Sequence, residues 1–168
     1  DSSLAALREK RDAYGTAGGM EERRLVTVLF ADVAGFTALS EAMDPEDVQT
    51  LMRGYFARWI AILEKHGGRV EKFIGDAVMA VFGYESAREN DSEQAIRSAL
   101  ELRQALAEYN QELEEKYTRR LQIRVGINTG MVLEGRLGPD GKLQESMLVG
   151  DTVNTASRLE HAAPLDGI

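Results

Sequence analysis

From Leu25 the sequence runs Leu-Val-Thr-Val-Leu-Phe-Ala before meeting its first charge at Asp32. An apolar run with no alternation reads as a strand buried on both faces, and here it delivers Asp32 to its end. Ala34-Gly35-Phe36-Thr37 follows as a strand-turn-helix. Thr37 is placed to cap a short helix with Glu41 in its first turns, and the free N–H groups of such a turn suit a phosphate.

A second stretch, Gly67 to Gly83, holds two apolar-rich runs folded back at Gly75-Asp76. Val70, Phe73, Ile74, Val78, Val81 and Phe82 give it strand character, and positive φ is cheap at the glycine, so a β-hairpin is predicted with Asp76 at its tip. Taken alone, an acid at a hairpin tip is ordinary turn chemistry. Two acids at two strand ends beside an anion-binding turn instead point to metal ions.

Composition narrows the chemistry. The chain has 168 residues and 43% hydrophobic content, enough for one domain with a real core. No Cys means no thiolate site, and with only two His a His-built metal site is disfavoured, leaving carboxylates and a hard cation. The formal charge of −8 argues against a nucleic-acid partner, since tracking phosphates needs excess Lys and Arg. No apolar run approaches 18 residues and no signal-like segment is present, so a cytoplasmic setting is expected.

Residues 1–22 read as a linker or the tail of an upstream segment, ending in Gly15-Thr-Ala-Gly-Gly19. Asp44-Pro45-Glu46-Asp47 starts a helix that carries Val48, Leu51, Met52, Tyr55, Phe56, Trp59, Ile62 and Leu63 at helical spacing and closes at Lys65-His66-Gly67. That stripe is read as core, and His66 as a helix-terminal residue. A second helix begins near Asp91-Ser-Glu-Gln94 and turns Ala95, Ile96, Ala99, Leu102, Leu106, Tyr109 and Leu113 inward. Leu121–Gly130 and Met131–Leu137 read as two strands, Pro139-Asp140-Gly141 as a turn, and a further strand ends at Val149. The order predicts an α+β fold: a mostly antiparallel sheet with helices on one face.

Three blocks, Phe30-Ala-Asp-Val-Ala-Gly-Phe-Thr37, Glu71-Lys-Phe-Ile-Gly-Asp-Ala-Val-Met-Ala80 and Val149-Gly-Asp-Thr-Val-Asn-Thr-Ala-Ser-Arg-Leu159, occur in this order. By these the chain resembles the class III nucleotidyl cyclases, whose commonest members are adenylate cyclases, over roughly Arg23 to His161. The resemblance implies a ferredoxin-like βαββαβ core with added strands, and a catalytic domain over 23–168. Family domains continue past the position of Ile168 into strands that contribute a phosphate-binding Lys, so a domain shortened at its C-terminus is expected, with a regulatory domain upstream of it.

The resemblance also implies a site. Asp32 and Asp76, with the Val33 carbonyl, would hold two divalent cations, Mg²⁺ or Mn²⁺. The amides around Phe36 and Thr37 would meet the terminal phosphates, and Arg124 looks like the family's triphosphate-binding Arg. Asn154 and Arg158, four apart on a helix starting near Asp151, match the ribose-orienting Asn and the transition-state Arg. Lys72 would read the N1 acceptor of adenine, where guanylate cyclases of the family carry an acid. The second base reader, commonly Asp or Thr, is here Met147, a weak acceptor. The family builds its site between subunits, so the expectation is a homodimeric adenylate cyclase acting on ATP. The alternative is a catalytically weak cyclase-homology domain that binds nucleotide or dimerises as a regulatory module. A diguanylate cyclase is disfavoured, because the hairpin tip lacks the Gly-Gly-acid-Glu-Phe signature.

Overall fold

The computed structural model describes residues 22–137 and 143–168, with the backbone alone at 136, 137 and 143–147. The segment read as an upstream tail, up to residue 21, and the turn at Pro139-Asp140-Gly141 lie outside the described residues. The elements in chain order are β1 (Glu22–Ala34), α1 (Phe36–Ala42), α2 (Pro45–Lys65), β2 (Gly68–Ile74), β3 (Ala77–Phe82), α3 (Asp91–Tyr117), β4 (Gln122–Leu137), β5 (Leu143–Val149) and α4 (Asp151–Ala162). Among the described residues no helix is long and apolar enough to cross a membrane.

The sheet runs β2-β3-β1-β4-β5, and every neighbouring pair is antiparallel. Its first four strands have the order of a ferredoxin-like core, with β5 added beside β4. Six consecutive residues of β1, Val26 to Ala31, are buried, as a central strand covered on both faces requires. Leu29, Ala31 and Val33 join Val78, Ala80, Phe82, Ile123 and Val125 under α2 and α3. Val26, Val28 and Phe30 join Met79, Val81, Val132 and Leu148 on the other face, under Ala156 of α4.

The two long helices share one face because each carries a wide apolar stripe. Tyr55, Trp59, Ile62 and Leu63 are buried on α2. Ala95, Ala99, Leu102, Ala105, Leu106 and Leu113 are buried on α3, while Ile96 falls on its outer edge and is exposed. The Tyr55 ring packs 4.5 Å from Trp59 and 5.8 Å from Tyr109, centroid to centroid, locking α2 to α3. Around the rim, His66 meets Gln94 at 3.0 Å and Glu101 at 2.7 Å, with Lys65 on the same carboxylate at 2.8 Å. Asn110 clamps the start of β4 by donating to the Leu121 carbonyl and accepting its N–H, both at 2.8 Å.

One-face packing holds for these long helices, and α4 adds cover on the opposite face. It does so through missing side chains. A Cβ at Gly126 would collide with the Ala156 carbonyl and the Glu160 amide, and one at Gly130 would strike the Thr152 hydroxyl. Gly130 therefore does not end a strand: the stretch expected as two strands is one, sixteen residues long. The Thr152 hydroxyl completes the seat by donating to the Met131 carbonyl at 2.7 Å.

The two kinds of glycine in β4 are separable by experiment. Gly126→Ala is expected to destabilise the domain by about 1–3 kcal/mol, because the colliding atoms are helix backbone. Gly135→Ala, where nothing lies within 4 Å of the added carbon, should stay within about 0.5 kcal/mol. Urea unfolding of the two variants checks this; equal losses would show that α4 is not seated by the absent side chain.

Candidate active site

The ends of β1 and β3 bring the two acids together. Asp32 stands directly opposite Ala77 of β3, and Asp76 precedes Ala77 in a two-residue turn whose Gly75 has φ of 63°. Asp32 Oδ1 is buried with no hydrogen-bond partner. The Asp76 carboxyl is pushed above the ordinary carboxylate range, first by burial, then by the charge and contact of Asp32. Burial, with the same two acids behind it, pushes the Tyr55 hydroxyl up as well.

A buried orphan oxygen and a like-charged oxygen pair, with no Cys in the chain, fit a hard divalent cation. Among the described residues no group of three or more His, Asp or Glu is arranged to hold a metal. The side-chain donors here are therefore two, and the Val33 carbonyl, next in the chain after Asp32, is the backbone oxygen at hand.

On the other side of β1, Arg124 of β4 is the register partner of Asp32, and its Nε is buried without a partner. Sequence reasoning missed a further acid beside it. Glu160 of α4 is 3% exposed, and its Oε1 also lacks a partner. Burial pushes its carboxyl up, and Asp32 adds to the rise through charge and contact, while His161 and Arg124 oppose it. The signal was the helix period. Thr152, Ala156 and Glu160, four apart, form the buried line of α4, so the last of them had to point at the sheet.

The remaining expected residues lie around this cluster. Phe36 packs against the core at the start of α1. Thr37 is not the cap: Gly35, with φ of 91°, takes that position, since a Cβ there would lie 2.8 Å from the Arg120 carbonyl, and Thr37 sits exposed in the first turn. Lys72 is exposed on β2, opposite Met79, just past a register shift at Val70. The backbone of Met147 pairs with Gly135, and its side chain lies outside the described residues.

Asn154 and Arg158 are exposed on the side of α4 away from its buried line. Among the described residues the Arg158 guanidinium reaches only along its own helix, donating to Thr155 Oγ1 at 3.1 Å and lying 3.5 Å from Asp151. The structure thus brings Asp32, Asp76 and Arg124 together and leaves Asn154 and Arg158 facing outward.

Comparison with known proteins agrees with the three sequence blocks and the fold. Residues 19–168 match the family model of the adenylate and guanylate cyclase catalytic domain. The chain is 33% identical over 146 residues to an adenylate cyclase of Anabaena cylindrica, covering 84% of this chain and 28% of that protein. It is 35% identical over 137 residues to the receptor-type guanylate cyclase gcy-23 of Caenorhabditis elegans, covering 81% of this chain and 12% of the relative. The chain therefore spans well under a third of either curated relative. The crystal structure of the adenylyl cyclase CyaB from P. aeruginosa superposes with a TM-score of 0.80 at 35% identity, covering 88% of this chain and 76% of that one. With matching blocks, sheet order and paired acids, the chain belongs to the class III adenylate and guanylate cyclase catalytic-domain family.

Proposed function

We propose that this domain is an adenylate cyclase that closes ATP to 3′,5′-cyclic AMP and pyrophosphate at sites shared between two copies of the chain. The observation that carries this reading is the division of the site residues. Asp32, Asp76 and Arg124 gather at one end of the sheet, while Asn154 and Arg158 point away from them into solvent. In a homodimer with two-fold symmetry, each outward pair meets the acids of the other copy, giving two equivalent sites.

Asp32, Asp76 and the Val33 carbonyl would hold two divalent cations, which when bound neutralise triphosphate charge and make the ribose 3′-hydroxyl easier to deprotonate. The chain's own residues do the rest. Arg124 and the amides around Phe36 and Thr37 bind the phosphates, and Asn154 orients the ribose so that its 3′-oxygen faces the α-phosphorus. Arg158 stabilises charge that develops on the transferred phosphate. Lys72, a donor only, matches adenine N1 and opposes the N1–H of guanine.

Replacing Asp32 or Asp76 by Ala is expected to lower metal-dependent turnover by roughly two or more orders of magnitude, because one carboxylate cannot hold two cations against their repulsion. Asp76→Asn carries a second readout. The Asp76 carboxyl holds its proton more tightly in the folded chain than in the unfolded one, so its ionisation costs stability as pH rises. The Asn variant, without metal, should melt higher than the parent at pH 8, with the gain vanishing below the ordinary carboxylate range. An unchanged melting difference across that pH span would refute the half-buried like-charge pair.

The shared site is tested by complementation. Asp32→Ala and Asn154→Ala chains, each inactive alone, should regain activity when co-expressed, since a mixed dimer carries both lesions in one site and none in the other. Random pairing makes half the dimers mixed, each with one good site of two, so about a quarter of parental activity is expected. Mixed dimers that form and stay inactive would place the site within one chain.

Met147 bears on base choice. With no strong acceptor for the adenine amino group, preference for ATP over GTP should be modest, about 1–3 kcal/mol, and Met147→Asp should sharpen it. Rates on the two nucleotides measure this, and an unaltered ratio would mean another group reads the amino group.

A further inference from the structure

We propose that Glu160 is a positioning residue of this site: it offers Arg124 an acceptor other than Asp32 and so keeps the Asp32 carboxylate open to a cation. The inference rests on Asp32 and Asp76 being the cation ligands. Asp32 and Arg124 are direct register partners on antiparallel strands. At that position Cβ atoms stand about 5 Å apart, within easy reach for a guanidinium and a carboxylate, and their pairing would be strong. Such a pair would consume the oxygens a cation needs. Yet Asp32 Oδ1 and Arg124 Nε are both buried and both unpartnered.

The third buried atom without a partner in this cluster is Glu160 Oε1. A glutamate that is 3% exposed is rare unless it is paired, and His161 meets only its other oxygen, at 3.2 Å. The side chain is not there by accident of the helix end. Its backbone rests against Gly126, two residues beyond Arg124 on the same strand, where any Cβ would displace it. Asp32 thus stands between two carboxyls, Asp76 on one side and Glu160 on the other, with the half-buried Arg124 guanidinium beside Glu160. With cations on the first two acids, Arg124 and Glu160 remain as a neutral pair, and the arginine is fixed on the side of Asp32 away from Asp76.

Mn²⁺ binding without nucleotide, followed through the paramagnetic resonance of the free ion, tests the assignment. Glu160→Gln keeps the side-chain volume and removes the charge, so Arg124 should swing to Asp32 and Mn²⁺ affinity should fall about tenfold, the equivalent of one charged hydrogen bond. In an Arg124→Met background the same Glu160→Gln change should alter affinity by less than about twofold, because nothing is left to swing. Glu160→Asp, which keeps the charge but withdraws the acceptor, should give an intermediate loss and serves if the Gln variant does not fold. A tenfold loss that persists in the Arg124→Met background would show Glu160 acting by its own charge and overturn the proposal. So would unchanged Mn²⁺ affinity in Glu160→Gln and Glu160→Asp while Asp32→Ala abolishes binding, an outcome that leaves the two acids standing as ligands. If Asp32→Ala leaves Mn²⁺ binding intact, the cation reading itself fails and takes this inference with it.

Discussion

Between Val26 and Ala31 the strand β1 has water on neither side, and the placement of the acids at its end follows from that. Val26 to Ala31 are buried without a gap, so one face of the strand must be covered by α2 and α3 and the other by α4. Asp32 is the first residue of the strand to leave this dry region. Its carboxylate emerges half-buried at the end of the core, where charge is poorly solvated but not sealed off. Burial there is what sets the electrostatics: the neighbouring Asp76 and Glu160 carboxyls are both pushed up by desolvation first and by Asp32 second.

The helix α4 joins two tasks that pull in opposite directions. Its inner line, Thr152, Ala156 and Glu160, lies against a strand stripped of side chains at Gly126 and Gly130. Its outer side carries Asn154 and Arg158 into solvent. Because the inner line is set against strand backbone, the direction in which the outer pair points is fixed by the sheet. A helix packed through ordinary large side chains would tolerate sliding and rotation that this contact forbids. Precision of the outward groups is thus supplied from the buried side of the same helix.

Much of this was legible in the residues, and the failures have identifiable causes. The unbroken run at Leu25–Ala31, the hairpin at Gly75-Asp76 and the aromatic stripe of α2 each contain their own periodicity, and each was found where expected. Gly130 misled because a glycine inside an apolar run reads as a break, whereas here it makes room for Thr152. Thr37 misled because a hydroxyl near a helix start reads as a cap, while the close approach of the Arg120 carbonyl demands glycine two residues earlier, at Gly35. Glu160 was passed over for a deeper reason. A charged residue near a helix end looks solvated in one dimension, and only the register of Asp32 against Arg124 shows that the space it enters belongs to the site. Side-chain pairing across strands is set by sheet order, which local pattern does not encode.

The unpartnered atoms also say something about the energetics of the domain without its ligands. Asp32 Oδ1, Arg124 Nε and Glu160 Oε1, three of the six buried side-chain atoms without a partner among the described residues, fall in one place, whereas the buried amide of Asn110 is bonded twice over. Each orphan of this kind costs about 1–3 kcal/mol, and a chain stable by only about 5–15 kcal/mol does not carry three in one place by neglect. On the proposed function, the cost falls where cations would be held. A ligand that binds the folded chain alone then stabilises it in proportion to its occupancy. Rigid placement of poorly solvated carboxylates before the ligand arrives means that little reorganisation remains when it does, which is the condition under which electrostatic stabilisation of a transition state is largest.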